Sequence, residues 1–260
     1  MNSFIKSYWK TLLFFGVVGL FGGFCTGLYL LDSFPDDMKQ QLMAELAGAG
    51  LGGLPVTLAT GLVNAVQGAV YGIVLGAIGI AIAKELRLWK DERTIGAKAL
   101  GAAILVGVIG GLLMILPDMF VFGKYSDAVM NSYAAKPSLV YILGAVTYGA
   151  VIEEIMLRLF AMSLVALILH RLFGKGVGRP RDSVLIIANI VSAILFAALH
   201  LPTTGMLLGF TPLLIFRCFL LNGGLGLLFG RLYRKYGLRY AMIAHGGCHV
   251  VSKVIWLLFI

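Results

Sequence analysis

GAVTYGAVIEEIMLRLFAMSLVALILH, residues 144–170, is almost wholly apolar, yet it holds Glu153, Glu154 and Arg158 in its middle. Each such charge costs roughly 2.5–3.5 kcal/mol in a bilayer on insertion scales, so intramembrane charges need partners or a polar cavity. The fold follows from whether the rest of the chain is membrane, and the function from what could meet these three groups there.

The composition answers the first question. Hydrophobic residues make up 60% of the 260 and charged residues 13%, where soluble domains carry about 25% charged. The mean hydropathy is +0.95. Uncharged runs cover 11–31, 46–83, 99–117, 137–152, 183–216, 218–230 and 240–252, several longer than the roughly 20 residues a span requires. The reading is an all-α, polytopic transmembrane helical bundle, because backbone groups in lipid must be satisfied within each segment. Spans are predicted at 12–31, 60–83, 99–117, 138–165, 183–201, 210–230 and 241–260. That makes seven, or eight if 46–59 inserts as a partial span. The whole chain, 1–260, reads as a single membrane domain. The apolar run after Lys10 reads as an uncleaved first span, since it is long and no A-x-A-like site follows it. Cys25, Cys218 and Cys248 all lie in apolar segments with no shared spacing, which is no disulfide framework.

Loop charges then orient the bundle. Segments 1–10, 84–98, 171–182 and 231–239 hold fifteen lysines and arginines, against three in 32–45, 118–136 and 202–209. This alternation is a positive-inside pattern and predicts a cytoplasmic amino terminus and an outside carboxyl terminus, in a cell membrane. The net charge of +9 is accounted for by these loops, with no nucleic-acid partner implied; membrane lipids are the surroundings. Glycines recur every four residues at Gly19, Gly23, Gly27 and at Gly68, Gly72, Gly76. Such ridges let helices approach closely, within the bundle or across a homodimer.

The spans also contain Asn189, His200, Arg217, Asn222, His245, His249 and Lys253. Residues four apart share a helix face, so Glu154 pairs with Arg158, and Glu153, turned about 100° away, is left to face a cavity. Phe196 shares a face with His200, and His245 with His249. Gly246 and Gly247 let another backbone approach between them. His170 reads as a surface residue complementing a helix end, and Arg217 as structural, without a partner. The sequence offers no account of Lys253. Straight helices put Glu153 and His200 about 27 Å from the basic-loop side, and His245 and His249 about 9 and 15 Å. Those depths meet only if the Glu153 helix projects beyond the bilayer, if the His200 helix starts there, or if 201–212 dips back in.

EEIMLR (Glu153 to Arg158), FAALH (Phe196 to His200) and HGGCH (His245 to His249) occur in that order, each in an apolar span. They resemble the EExxxR, FxxxH and HxxxN motifs of the CAAX-protease and bacteriocin-processing family, the Abi family of intramembrane glutamic endopeptidases. The resemblance covers about 138–255, a family-like catalytic core, and leaves 1–117 as accessory spans. It implies an endopeptidase acting on a peptide or lipid-modified protein at the membrane. Glu153 and His200 would activate water, and His245 with residue 249 would form an oxyanion hole. Glu154 and Arg158 would support them, with no cofactor. The departure is His249, where the family has asparagine. The chemistry is sensible on its own terms: a carboxylate in a dry cavity is an effective base, and preorganised donors on a tetrahedral oxygen are worth about 3 kcal/mol each.

Other readings exist. Glu153, His200, His245 and His249 could bind zinc, since His245 and His249 have the i,i+4 spacing of HExxH helices. A thiol mechanism would need Cys248 to face the cavity. Outside hydrolysis, the cluster could serve a transporter, or a catalytically impaired family member acting as an adaptor or immunity protein.

Overall fold

The computed structural model describes residues 2–32, 34, 36–90, 96–173 and 179–260. Arg93 and Lys175, counted above among the basic loops, lie outside the described residues. Regular structure among these is helical throughout: α1 (Asn2–Asp32), α2 (Asp36–Gly48), α3 (Val56–Glu85), α4 (Ala97–Phe120), α5 (Asp127–Asn131), α6 (139–173), α7 (Asp182–Leu208), α8 (Pro212–Tyr236) and α9 (Leu238–Phe259). Among the described residues six helical stretches are long and apolar enough to cross a membrane: Ser3–Leu31, α3, Ala97–Lys124, α7, α8 and α9. The chain is a multi-pass membrane protein. The difference from the seven expected spans is α6, which carries the three central charges. Segment 46–59 forms the end of α2, a turn about Gly50 and the first turn of α3.

The packing places α6 at the centre. Its first half lies against α1 and α9, its second half against α3 and α7. α1 runs along α3 and α4 along α9. The glycine ridges make the first of these pairings: a Cβ on Gly19 or Gly23 would occupy the place of the Gly68 or Asn64 carbonyl. The ridges therefore meet one another inside the chain. At the other pairing, Gly247 lies against Gly107 of α4 and Gly246 against Ala150 of α6, the close approach expected of that doublet. One core joins these helices, including Ile152, Leu159, Leu185, Phe229, Tyr240 and Ala244.

The depth conflict resolves in the α6–α7 hairpin. Ser163 Oγ lies 2.8 Å from the Tyr233 hydroxyl, four residues before the α8–α9 turn at Gly237, whose φ is +109°. α6 continues another ten residues to 173, about 15 Å beyond that level. There Leu169, His170 and Phe173 line a groove with Arg181, Val184 and Ile187 of the α7 start, and Arg171 pairs with Glu85 at 2.8 Å. Both helices overshoot the α8–α9 turn. That overshoot lets Glu154 of α6 and His245 of α9 meet at hydrogen-bond distance. Segment 201–212 does not dip back as a loop; most of it is helix to Leu208, then a turn at Gly209 with φ +89°.

Two expectations need correcting, and Lys253 gains an account. Arg217 has a partner: Nε and Nη2 bind the two Asp118 oxygens at 2.6 and 2.5 Å. Tyr133 donates to Oδ2 of the same carboxylate at 2.7 Å. Burial, then Asp118, pushes the Tyr133 phenol up from its ordinary range, so it stays a donor. His170 is not a freely hydrated surface residue, because both ring nitrogens are buried without hydrogen bonds. Lys253 is 6% exposed, over the rings of Tyr141 at 4.7 Å and Trp256 at 5.6 Å.

Candidate active site

α6 does not keep α-helical winding where its charges sit. Ala145–Glu153 and Ile155–Met162 are wide π-turns on either side of Glu154. Such turns are rare and concentrate at functional sites. The wider winding turns the side chains out of the register that α-helical periodicity foresees. Glu154 and Arg158 are both fully buried, with Nη1 3.1 Å from Oε1, the pairing expected from sequence.

Glu154 has a second partner that spacing alone did not reveal. The same Oε1 lies 2.9 Å from Nδ1 of His245, across from α9. An ionised carboxylate only accepts, so Nδ1 carries the proton, and the ring is fixed with Nε2 directed away from Glu154. Phe229 stacks on this imidazole at 4.6 Å and 17°. His249 stacks on its other neighbourhood at 5.0 Å and 27°, so the two share a face as expected. Arg158 has no well-aligned hydrogen bond from its guanidinium nitrogens. Its charge is met by Glu154 and by the faces of Phe196 at 4.4 Å and Phe229 at 5.4 Å. Cation–π contacts of this kind are worth about 2 kcal/mol when desolvated.

His200 sits where α7 breaks. Pro202 has no N–H to donate to the carbonyl four residues back, so the ladder is interrupted here. The His200 amide bonds Ala197 O at 3.0 Å, and its Nδ1 takes Phe196 O at 2.8 Å. A carbonyl only accepts, so Nδ1 bears the hydrogen and Nε2 keeps a free lone pair. Phe196 walls the ring edge-on at 4.7 Å and meets His245 at 5.8 Å. It thus links the imidazoles of α7 and α9 to Arg158.

Gly149 marks where these groups converge. A Cβ there would lie 3.0 Å from His249 Nε2 and 3.9 Å from His245 Nε2. Glycine keeps that volume open, and both Nε2 atoms point toward it. His249 Nδ1 is buried without a partner. A buried orphan lone pair costs less than a buried orphan N–H, so the favoured tautomer puts the proton on Nε2. Glu153, half-buried, stands one residue from Glu154 and acts electrostatically on Tyr29, Tyr148 and Arg158. Among the described residues it makes no hydrogen bond, and none joins it to His200.

The structure therefore joins Glu154, Arg158, His200, His245 and His249 in one chain of contacts and leaves Glu153 unbonded beside it. Sequence reasoning missed the Glu154–His245 bond, Phe229 and Gly149. Phe229 carried no signal beyond an apolar position, and Gly149 none beyond a small residue in a span. Cys248 points away, with Sγ 3.8 Å from Val106 O on α4. Among the described residues no group of three or more His, Cys, Asp or Glu has the geometry to hold a metal ion.

Residues 135–251 match the family model described as Type II CAAX prenyl endopeptidase Rce1-like, and residues 1–134 lie outside the match. The resemblance read from the three motifs is borne out over the segment that carries them. Neither the curated proteins nor the solved structures give a match.

Proposed function

With residues 135–251 in the type II CAAX prenyl endopeptidase family as premise, we propose that this protein is an intramembrane endopeptidase using a carboxylate-activated water. Glu153 takes a proton from water, and the resulting hydroxide attacks the scissile carbonyl. His200, through its free Nε2, shares that proton and returns it to the leaving amine as the C–N bond breaks. The carbonyl oxygen, now an oxyanion, is received by Nε2–H of His249 and of His245. Because His245 Nδ1 already donates to Glu154, an Nε2 donor requires the imidazolium, which the Glu154 carboxylate balances. Arg158 keeps that carboxylate ionised and in place. The mechanism needs no metal and no acyl-enzyme. The substrate is a lipid-modified protein tail or a peptide held at the membrane. The basic loops support a cell-membrane setting with a cytoplasmic amino terminus.

The observation that carries this reading is the convergence of two imidazole Nε2 atoms over Gly149, one of them oriented by Glu154. Donors fixed before reaction on a developing oxyanion are usually the largest single catalytic contribution. The test is cleavage of a farnesylated CAAX peptide by purified protein, read by mass spectrometry beside His200→Ala and a metal determination. Product from the wild type alone, in metal-free protein and in excess chelator, is expected. Stoichiometric zinc with loss of activity on chelation would overturn the metal-free mechanism.

A further inference from the structure

The groove between the end of α6 and the start of α7 has no part in the mechanism above. Its volume is about 210 Å³, below the roughly 300–1,000 Å³ of sites that enclose a whole small molecule. It takes a headgroup and leaves the rest of the molecule outside. Its walls divide by chemistry. Leu169, Phe173 and Ile187 form an apolar side, and Phe173 is 71% exposed, so this side opens outward from the bundle. His170, Arg181 and Ser183 form a polar side. Each of these three can donate a hydrogen bond and none carries negative charge. Both nitrogens of His170 are buried without a hydrogen bond, although a neutral imidazole keeps one N–H, and a buried donor left unmade is costly. Among the described residues Arg181 has no ion pair: Asp182 is met by Arg179 at 3.9 Å and Glu85 by Arg171 at 2.8 Å. α7 begins at Asp182, and its N-cap residue, Arg181, gives no side-chain cap. Ser183 and Val184 of that first turn line the groove, which puts the positive end of the helix dipole there as well.

The surrounding charge gives the sign of the ligand. Arg179 and Arg231 both act electrostatically on Arg234, and Asp182 is the acid that acts on it with them. With Arg181, that sets four guanidinium groups around one carboxylate, on the side where the basic loops lie. Basic pockets between spans on that side suit anionic headgroups, whereas the ammonium of a zwitterionic headgroup is repelled by the same field. We propose that the α6–α7 groove seats the phosphate of an anionic phospholipid, held by Arg181, Ser183 and His170, with an acyl chain along Leu169, Phe173 and Ile187. The lipid ties the end of α6, the helix of Glu153 and Glu154, to the start of α7, the helix of His200. The seat is a binding site and stands whether or not the chain cleaves peptides.

The test uses full-length protein stripped of lipid in neutral detergent, with bound lipid counted by native mass spectrometry. The probes are dioleoyl phosphatidylglycerol and dioleoyl phosphatidylcholine. The first should bind about tenfold or more tighter than the second, the scale of two basic contacts to an anionic lipid. Arg181 is exposed, so Arg181→Gln should fold, and it should bring the ratio to within about twofold. His170→Phe keeps a ring without a donor and should weaken phosphatidylglycerol binding several-fold; if it melts early, Arg181→Gln decides. Lys6→Gln, in another basic segment, should leave the ratio alone. Inorganic phosphate and acyl-free glycerophosphoglycerol should not displace the lipid. Equal binding of the two lipids, or full affinity in a folded His170→Phe protein, would overturn the seat. A ratio unchanged in Arg181→Gln, or lowered as much by Lys6→Gln, would overturn it too and assign the preference to the basic loops as a whole. Displacement by inorganic phosphate would overturn the lipid and leave a free-anion site.

Discussion

The Nδ1 of His245 lies 2.9 Å from Oε1 of Glu154, an oxygen that also meets Arg158 at 3.1 Å. One buried carboxylate oxygen thus orients an imidazole on α9 and neutralises a guanidinium on its own helix. Glu154→Gln keeps the size of the side chain and removes the charge. It should lower cleavage of the farnesylated peptide by about 10²-fold or more, the scale of losing one oxyanion donor. Its pH–rate profile should change as well, because the imidazolium of His245 loses its counter-charge. An unchanged profile would mean that Glu154 only braces Arg158.

Arg158→Met removes a fully buried cation and leaves the buried Glu154 carboxylate without its ion-pair partner, held by His245 alone. Breaking a buried pair this way costs roughly 3–5 kcal/mol, so thermal melting in detergent should fall by many degrees. Arg158→Lys should recover little, since a compact ammonium does not reproduce a planar group shared between Phe196 and Phe229. Melting of the methionine variant at the wild-type temperature would refute the clamp.

Gly149→Ala adds one methyl 3.0 Å from His249 Nε2. Turnover should drop by about 10-fold or more, with melting close to wild type, because the loss falls on transition-state stabilisation rather than on the fold. Full activity in this variant would mean that the reacting carbonyl sits elsewhere.

His249→Asn restores the amide donor of the HxxxN motif, on a side chain shorter than the imidazole. Cleavage should be kept or raised, whereas His249→Ala should lose about 10²–10³-fold. Loss in both variants would show that the imidazole has a task an amide cannot perform.

The Asp118–Arg217–Tyr133 cluster should matter for stability and not for chemistry. Tyr133 has its phenol pushed up in the fold, by burial first and then by Asp118. Its folded value exceeds its unfolded one, so its contribution is fully present below about pH 10 and is lost as the pH rises beyond. Melting followed from pH 7 to 11 should show a decline above pH 10 that Tyr133→Phe flattens. An equal decline in the variant would assign it to other groups.

Much of this arrangement was legible from residues alone, because in an apolar span every charge stands out. Glu154–Arg158 and His245–His249 followed from i,i+4 spacing, and the family from three motifs in order. What was not legible had physical causes. The π-turns around Glu154 are set by tertiary packing and leave no periodicity, so Gly149 against the His245 and His249 rings could not be foreseen. Arg217 and Asp118 are ninety-nine positions apart, and no local rule joins them. The depth conflict arose from treating each helix as ending at the bilayer surface. The Ser163–Tyr233 bond shows instead that α6 runs past the α8–α9 turn.

The central claim is that the unbonded carboxylate beside this cluster is the base. Its most direct test is the single-turnover rate of Glu153→Gln on the farnesylated CAAX peptide, compared with wild type at matched thermal stability. A fall of about 10³-fold or more is predicted, in keeping with loss of the base that activates the nucleophile. A rate within a few-fold of wild type would contradict the account.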